Sequence, residues 1–250
     1  MITRPNCKIN LGLHILGERS DGYHDIETLF YPCSAFTDEL DIQPAEEFRA
    51  RIGANWREQD DLAVRAYRLL AASYHLPPVY IRLVKQIPVG AGLGGGSADG
   101  AFALMMLNEL FSIGLSMDRL AEYAARLGSD CPFFLYNQPM LGSGRGEVLE
   151  PFDVDLSAYT IRIKAPRDVR ISTAEAYRNV RPHEGMPLRE ALSCPVSQWR
   201  ECLVNDFEAS VFAAHPQLAA VKQQLYDDGA VYAAMSGSGS ALFGLFPKEK

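Results

Sequence analysis

Five glycines fall within seven positions of the segment Pro88-Val-Gly-Ala-Gly-Leu-Gly-Gly-Gly-Ser-Ala-Asp99, at Gly90, Gly92, Gly94, Gly95 and Gly96. So little side-chain bulk makes a poor strand or helix interior, and the chain has to be organised around this stretch as a loop. Upstream, Val79, Ile81 and Leu83 alternate with polar residues as a strand running towards Ile87 and Pro88. Downstream, an apolar helix is expected from about Ala98 to Phe111. Glycine lets backbone approach a ligand closely and adopt positive φ. A helix starting near Ser97 adds a partial positive charge and unpaired N–H donors. Strand, loop and helix together suit a polyphosphate. Ser97 is placed to bond a phosphate oxygen or to help hold a metal.

Two other phosphate motifs do not fit. The GxxxxGK[ST] pattern is absent, because no lysine precedes Ser97. Gly90-Ala-Gly-Leu-Gly-Gly matches GxGxxG, but that fingerprint belongs in the first βα unit of a parallel sheet, not about 90 residues along. A flexible linker is disfavoured by the stiff apolar segments on both sides.

The remaining composition narrows the field. With 250 residues, 48% of them hydrophobic, the chain can fill one large core or two smaller ones. Two domains are expected, 1–150 and 151–250, divided near Pro151. A net charge of −7 and a pI near 5.3 argue against binding to nucleic acid or an anionic membrane. Anionic ligands must then be held by local donors. The N-terminus reads as a strand and not as a signal peptide. No stretch approaches the roughly 20 apolar residues of a membrane span. Cys7, Cys33, Cys131, Cys194 and Cys202 are scattered without metal-ligand spacing, as free thiols in a cytoplasmic protein would be.

Along the chain, Ile9, Leu11, Leu13 and Ile15 alternate with Lys8, Asn10, Gly12 and His14, the pattern of a half-buried strand with Lys8 and Asn10 on one face. Asp21-Gly22 reads as a turn. Asp60 or Asp61 can cap a helix with its stripe at Leu62, Ala66, Leu69 and Leu70. Ser116 starts another helix, closed by Gly128 as a C′ glycine. Leu141 to Glu150 reads as a loop. The second half predicts strands at 159–165, 231–235 and 241–246 and helices around 173–180 and 217–228, the last closed by Gly229. Strands and helices are interspersed without a Rossmann or barrel rhythm, so the fold class is α+β.

These segments carry a resemblance. Pro88-VGAGLGGGSAD resembles the PxxxGLGGGSSD phosphate loop of the GHMP kinases, which include galactokinase, homoserine kinase, mevalonate kinase and phosphomevalonate kinase. Met235-SGSGSALFGLF246 resembles their third motif, a glycine- and serine-rich turn between two strands. Pro5-Asn-Cys-Lys-Ile-Asn-Leu-Gly-Leu, Arg19-Ser-Asp-Gly-Tyr-His-Asp, Leu127-Gly-Ser-Asp-Cys-Pro-Phe-Phe and Asn205-Asp-Phe-Glu are similar to narrower blocks of the family. They belong to the branch acting on a cytidine-diphosphate-linked methylerythritol in the non-mevalonate isoprenoid route. The matches run in order from residue 4 to residue 246. Cys7 and Ser129 stand where alanine is usual, and Ala98 replaces a second serine. The chain stops shortly after the third motif, where longer relatives have a further element.

The resemblance implies a two-domain GHMP kinase fold, with an N-terminal domain like ribosomal protein S5 domain 2 and a ferredoxin-like C-terminal domain. It implies ATP and Mg²⁺ as cofactors and a monomer or weak homodimer. Pro88, Val89, Gly90, Ala91, Gly92, Leu93, Gly94, Gly95, Gly96, Ser97 and Ala98 would hold the nucleotide. Asp130 would be the catalytic carboxylate and Lys8 its partner. Tyr23 and His24 would hold the cytosine, with Asn10 as a polar contact and Tyr177 as the opposing aromatic. Metal ligands are not identified. A homoserine or mevalonate type of kinase is the alternative, and Asp21-Gly-Tyr-His24 argues against it, because a small alcohol offers no base to stack.

Overall fold

The computed structural model describes residues 1–53 and 56–248. In chain order the strands are β1 (Ile2–Thr3), β2 (Asn6–Glu18), β3 (His24–Thr37), β4 (Glu39–Pro44), β5 (Arg49–Ile52), β6 (Val79–Val84), β7 (Met140–Ser143), β8 (Val148–Pro151), β9 (Tyr159–Lys164), β10 (Tyr232–Met235) and β11 (Leu242–Pro247). The helices are α1 (Leu62–Tyr74), α2 (Gly95–Leu110), α3 (Met117–Leu127), α4 (Cys131–Tyr136), α5 (Thr173–Tyr177), α6 (Leu188–Ser193), α7 (Trp199–Cys202), α8 (Phe207–Ala214) and α9 (Pro216–Asp227). The class is α+β. The chain forms two compact units, each discontinuous: Met1–Cys7, Phe36–Val89 and Gly94–Gln138 in one, Lys8–Ala35, Gly90–Leu93 and Pro139–Lys250 in the other. The cut drawn near Pro151 is contiguous in sequence; these units are not.

The first unit has a sheet in the order β1-β4-β6-β5, with β5 and β6 parallel and the other pairs antiparallel. Helix α1 begins because Asp61 accepts a hydrogen bond from the Ala63 amide, and it ends at His75 in a left-handed conformation. Its buried stripe of Ala63, Val64, Ala66, Tyr67 and Leu70 packs on α2, which also meets α3, α4 and β4. Gly100 allows the close approach of α1 and α2, since a β-carbon there would lie 3.0 Å from Leu62 Cβ. Helix α2 starts at Gly95, two residues before the expected Ser97, because Gly94 takes up φ 72° at its N-cap. Gly128 follows α3 as expected, but its φ of 178° is extended backbone open to any residue.

The second unit holds the sheets β2-β3-β7-β8 and β10-β11-β9. Its core joins Leu13, Ile15 and Ile26 to Phe207, Leu218, Leu225, Met235, Leu242 and Phe246. The expected loop from Leu141 to Glu150 is the β7–β8 hairpin. Its Gly142 lies within a strand because a β-carbon there would come 2.5 Å from the Phe30 ring. Helix α5 ends at Tyr177, three residues short of the expected Val180.

Strand β2 departs furthest from expectation. It is buried on both faces from Asn6 to Ile15, not half-buried. Its polar face meets protein instead of water. His14, only 1% exposed, stacks on His183 at 3.5 Å with the rings 9° from parallel. His183 in turn bonds Asp206 Oδ1 at 2.9 Å and the Met186 carbonyl at 3.1 Å. Burial, reinforced by His183 and partly opposed by Asp206, pushes the His14 pKa down from 6.5 to about 4. The folded protein therefore keeps His14 neutral where the unfolded chain would take up a proton. Stability from this source is complete above pH 6.5 and declines as pH falls towards 4. Urea unfolding of the wild type is expected to lose up to about 3 kcal/mol over that range beyond the loss shown by His14→Phe. Parallel pH profiles for the two proteins would refute this.

Candidate active site

In the second unit, β2 presents Lys8 and Asn10 on one face, with Lys8 3% and Asn10 2% exposed. A buried ammonium has to be hydrogen-bonded. Lys8 Nζ donates to Asn10 Oδ1 at 2.5 Å and to the Gly92 carbonyl at 2.9 Å, and it lies 5.4 Å from the centre of the Phe30 ring. Asn10 Nδ2 donates to Thr28 Oγ1 at 3.0 Å.

The turn between β10 and β11 lies against the same group. Ser236 Oγ donates to the Gly92 carbonyl at 2.9 Å, and the Ala241 amide donates to the Ala91 carbonyl at 3.1 Å. Asn205, 3% exposed, holds the turn by donating to the carbonyls of Met235 and Gly237, both at 2.8 Å. The two glycine-rich motifs thus meet directly. Gly92 is required at the contact: its φ is 77°, and a β-carbon would sit 2.0 Å from the Ser236 carbonyl oxygen.

This docking decides which way the loop faces. The Leu93 carbonyl accepts from the Lys8 amide at 3.0 Å, so the carbonyls of Ala91, Gly92 and Leu93 are all satisfied by protein. In a planar trans peptide the C=O of one residue and the N–H of the next point oppositely. The N–H groups of Gly92, Leu93 and Gly94 are therefore directed away from the turn and from Lys8. A row of outward amides is what an anion needs.

In the first unit, α2 is long enough to have a defined dipole, and Gly94 to Ser97 form its amino end. Asp130 is the N-cap residue of α4, yet its carboxylate makes no capping bond. The simple structural role for an aspartate at that position is thus not the one it fills. Beside it, burial pushes the Cys131 thiol up to about 12, against a hydrogen bond from Ser97. Cys131 is an inert packing residue.

The same unit contains a cluster that sequence reasoning missed. Lys85, at the end of β6, is paired with both Asp38 and Asp99, and Asp38 also accepts from the amides of Gln86 and Ile87. One lysine cannot balance two buried carboxylates. Burial works against the Lys85 charge, but Asp99 and Asp38 outweigh it and raise its pKa. Burial likewise holds the Asp99 carboxyl well above the usual range, beyond what Lys85 recovers. The cluster ties the first turns of α2 to the strand that precedes the loop. A lysine just before a phosphate loop was the available signal. Thr28 carried none, and Asn205 lay in a block noted only for its resemblance.

Of the residues expected to hold a base, Tyr23 sits at the tip joining β2 and β3 and is 56% exposed. The Arg145 guanidinium lies 4.8 Å over its ring. His24 faces Tyr177 at 4.7 Å, with 31° between ring planes, and Tyr177 packs edge-on against Phe207 at 4.8 Å. His24 and Tyr177 are brought together; Tyr23 is stacked with Arg145 instead.

The model of the GHMP kinases N terminal domain matches residues 61–138, and that of the GHMP kinases C terminal matches residues 196–250. The chain is 49% identical to 4-diphosphocytidyl-2-C-methyl-D-erythritol kinase of Bacteroides thetaiotaomicron, over 100% of this chain and 93% of that protein. A crystal structure of 4-(cytidine 5'-diphospho)-2C-methyl-D-erythritol kinase superposes with a TM-score of 0.85 at 33% identity, covering 98% of this chain and 90% of that one. Homoserine kinase from Cytophaga hutchinsonii superposes at 0.71 with 16% identity, covering 98% of this chain and 85% of that one, which shows a shared fold alone. Two glycine-rich motifs locked together around a buried lysine, in a sequence matched end to end by such relatives, make the chain a member of the GHMP kinase family.

Proposed function

We propose that this protein transfers the γ-phosphoryl group of ATP to the 2-hydroxyl of 4-diphosphocytidyl-2-C-methyl-D-erythritol, in the non-mevalonate route to isoprenoid precursors. ATP dependence belongs to the family. The substrate reading rests on the full-length likeness to kinases of that name. The observation that carries the catalytic reading is the loop's polarity. Its carbonyls from Ala91 to Leu93 are taken by protein, which leaves the opposing amides for phosphate oxygens.

In this reading, Pro88 to Ala98 hold the triphosphate through backbone amides and the amino end of α2. Asp130 orients the alcohol and accepts its proton as the new P–O bond forms, late in a loose transition state. Lys8 puts positive charge beside the transferring group. Tyr23, His24 and Tyr177 hold the cytidyl end, while Asn10, buried and bonded to Lys8 and Thr28, serves the lysine. Among the described residues, no three His, Cys, Asp or Glu could hold a metal together. A Mg²⁺ ion would be held mainly by the phosphates, with the Ser97 hydroxyl as the oxygen this chain would add. When bound it neutralises phosphate charge. No described helix is long and apolar enough to cross a membrane. A cytoplasmic monomer or weak homodimer belongs to the same reading, and the net charge of −7 argues against nucleic acid partners.

ADP release from ATP-Mg²⁺ with a panel of alcohols tests the assignment. The cytidyl alcohol is expected to exceed homoserine and mevalonate by at least about 10⁴ in kcat/KM, because a site built to bond a base leaves polar groups unpaired when the base is missing. Faster turnover of homoserine or mevalonate would move the chain to another branch of the family.

A further inference from the structure

We infer that Thr28, which no motif singles out, is a positioning residue for Lys8 and acts through Asn10. The inference rests on the reading that Lys8 serves phosphoryl transfer. Four buried groups form a hydrogen-bonded chain whose direction is fixed at both ends. At one end the Gly12 carbonyl can only accept, so Thr28 Oγ1, 2.6 Å away, must donate to it. With its proton committed, the Thr28 oxygen is left to accept from Asn10 Nδ2 at 3.0 Å. At the other end the Lys8 ammonium can only donate, so Asn10 must turn Oδ1 towards it at 2.5 Å. Thr28 is 0% exposed, so no water can stand in for its hydroxyl.

The consequence falls on Asn10, whose amide has two orientations of nearly equal shape. Thr28 selects the one that offers oxygen to Lys8. With valine at 28, a buried Nδ2 faces a methyl group. The opposite orientation would set Nδ2 against the ammonium. Neither arrangement holds Asn10 Oδ1 firmly in place, so Lys8 keeps the Gly92 carbonyl but loses the acceptor that Asn10 supplies, and with it part of what fixes its position.

Steady-state kinetics with ATP and the cytidyl alcohol test this, with thermal melting as a folding control. Thr28→Val is expected to lower kcat roughly 10- to 100-fold, with KM for both substrates within about threefold of wild type. Thr28→Ser, which keeps the hydroxyl, is expected to stay within about threefold in kcat. Should Thr28→Val fail to fold, Thr28→Cys carries the test, since a thiol donates and accepts weakly and kcat should fall between the other two. Wild-type kcat in Thr28→Val overturns the inference. So does Thr28→Ser as slow as Thr28→Val, Thr28→Cys as fast as Thr28→Ser, or a loss confined to KM. Lys8→Met separates the two levels of argument. If it retains turnover, the catalytic reading of Lys8 has failed; if it is inactive while Thr28→Val is normal, only the relay has.

Discussion

Asp130→Asn is expected to bind ATP as the wild type does and to lose roughly 10²- to 10⁴-fold in kcat, the range typical of a positioned acid–base group. An alcohol is too weak an acid to be deprotonated before reaction, so the carboxylate has to take the proton as the bond to phosphorus forms. Asparagine keeps the volume but cannot accept that proton as a base. The substitution removes no capping bond from α4, although Asp130 stands at its N-cap. Isothermal titration with an ATP analogue alongside single-turnover kinetics would separate binding from chemistry. Unchanged turnover would remove Asp130 from the mechanism; lost ATP binding would make it a structural residue.

Gly92→Ala is expected to be the most damaging single methyl in the loop, lowering kcat/KM for ATP by about 10² or more. The added carbon would stand 2.0 Å from the Ser236 carbonyl oxygen and 3.2 Å from that of Gly239, both backbone atoms with little freedom to retreat. The residue would also have to hold φ at 77°, which costs a side-chain-bearing residue roughly 1–2 kcal/mol. Moving Gly92 removes the acceptor shared by Lys8 and Ser236. Gly90→Ala supplies the comparison. Its φ is 69°, similarly strained, but nothing lies within 4 Å of the new carbon. It should cost only the strain. Equal activity of the two variants would mean that docking the loop on the β10–β11 turn does not matter for nucleotide use.

What could be read from the sequence was what is encoded over a few residues. The glycine spacing around Gly92, the capping by Asp61 and Ser116, and the serine–glycine turn after Met235 are local devices. The alternation in β2 identified a strand but not its surroundings. Lys8, Asn10 and His14 looked like a wet face because their partners are far off in the chain, Gly92 84 residues from Lys8 and Ser236 226 residues from Asn10. Gly142 suggested a loop, since its reason for being glycine is the Phe30 ring on another strand. Strand β3 was hidden by the turn signal at Asp21-Gly22 and by Pro32 within it. Helices α4, α6 and α7 are too short, at six, six and four residues, to show a periodic stripe.

The discontinuous units have a consequence for how such a protein can be inherited. The polypeptide changes unit after residues 7, 35, 89, 93 and 138. Any single break in the gene from codon 8 up to codon 138 leaves part of each unit on both fragments. A break after codon 138 itself frees every piece of the first but orphans residues 8–35 and 90–93. Neither unit can therefore be shuffled, duplicated or swapped by simple recombination without taking segments of the other along. Change in one unit alone has to come by substitution or by short insertions and deletions within an intact chain.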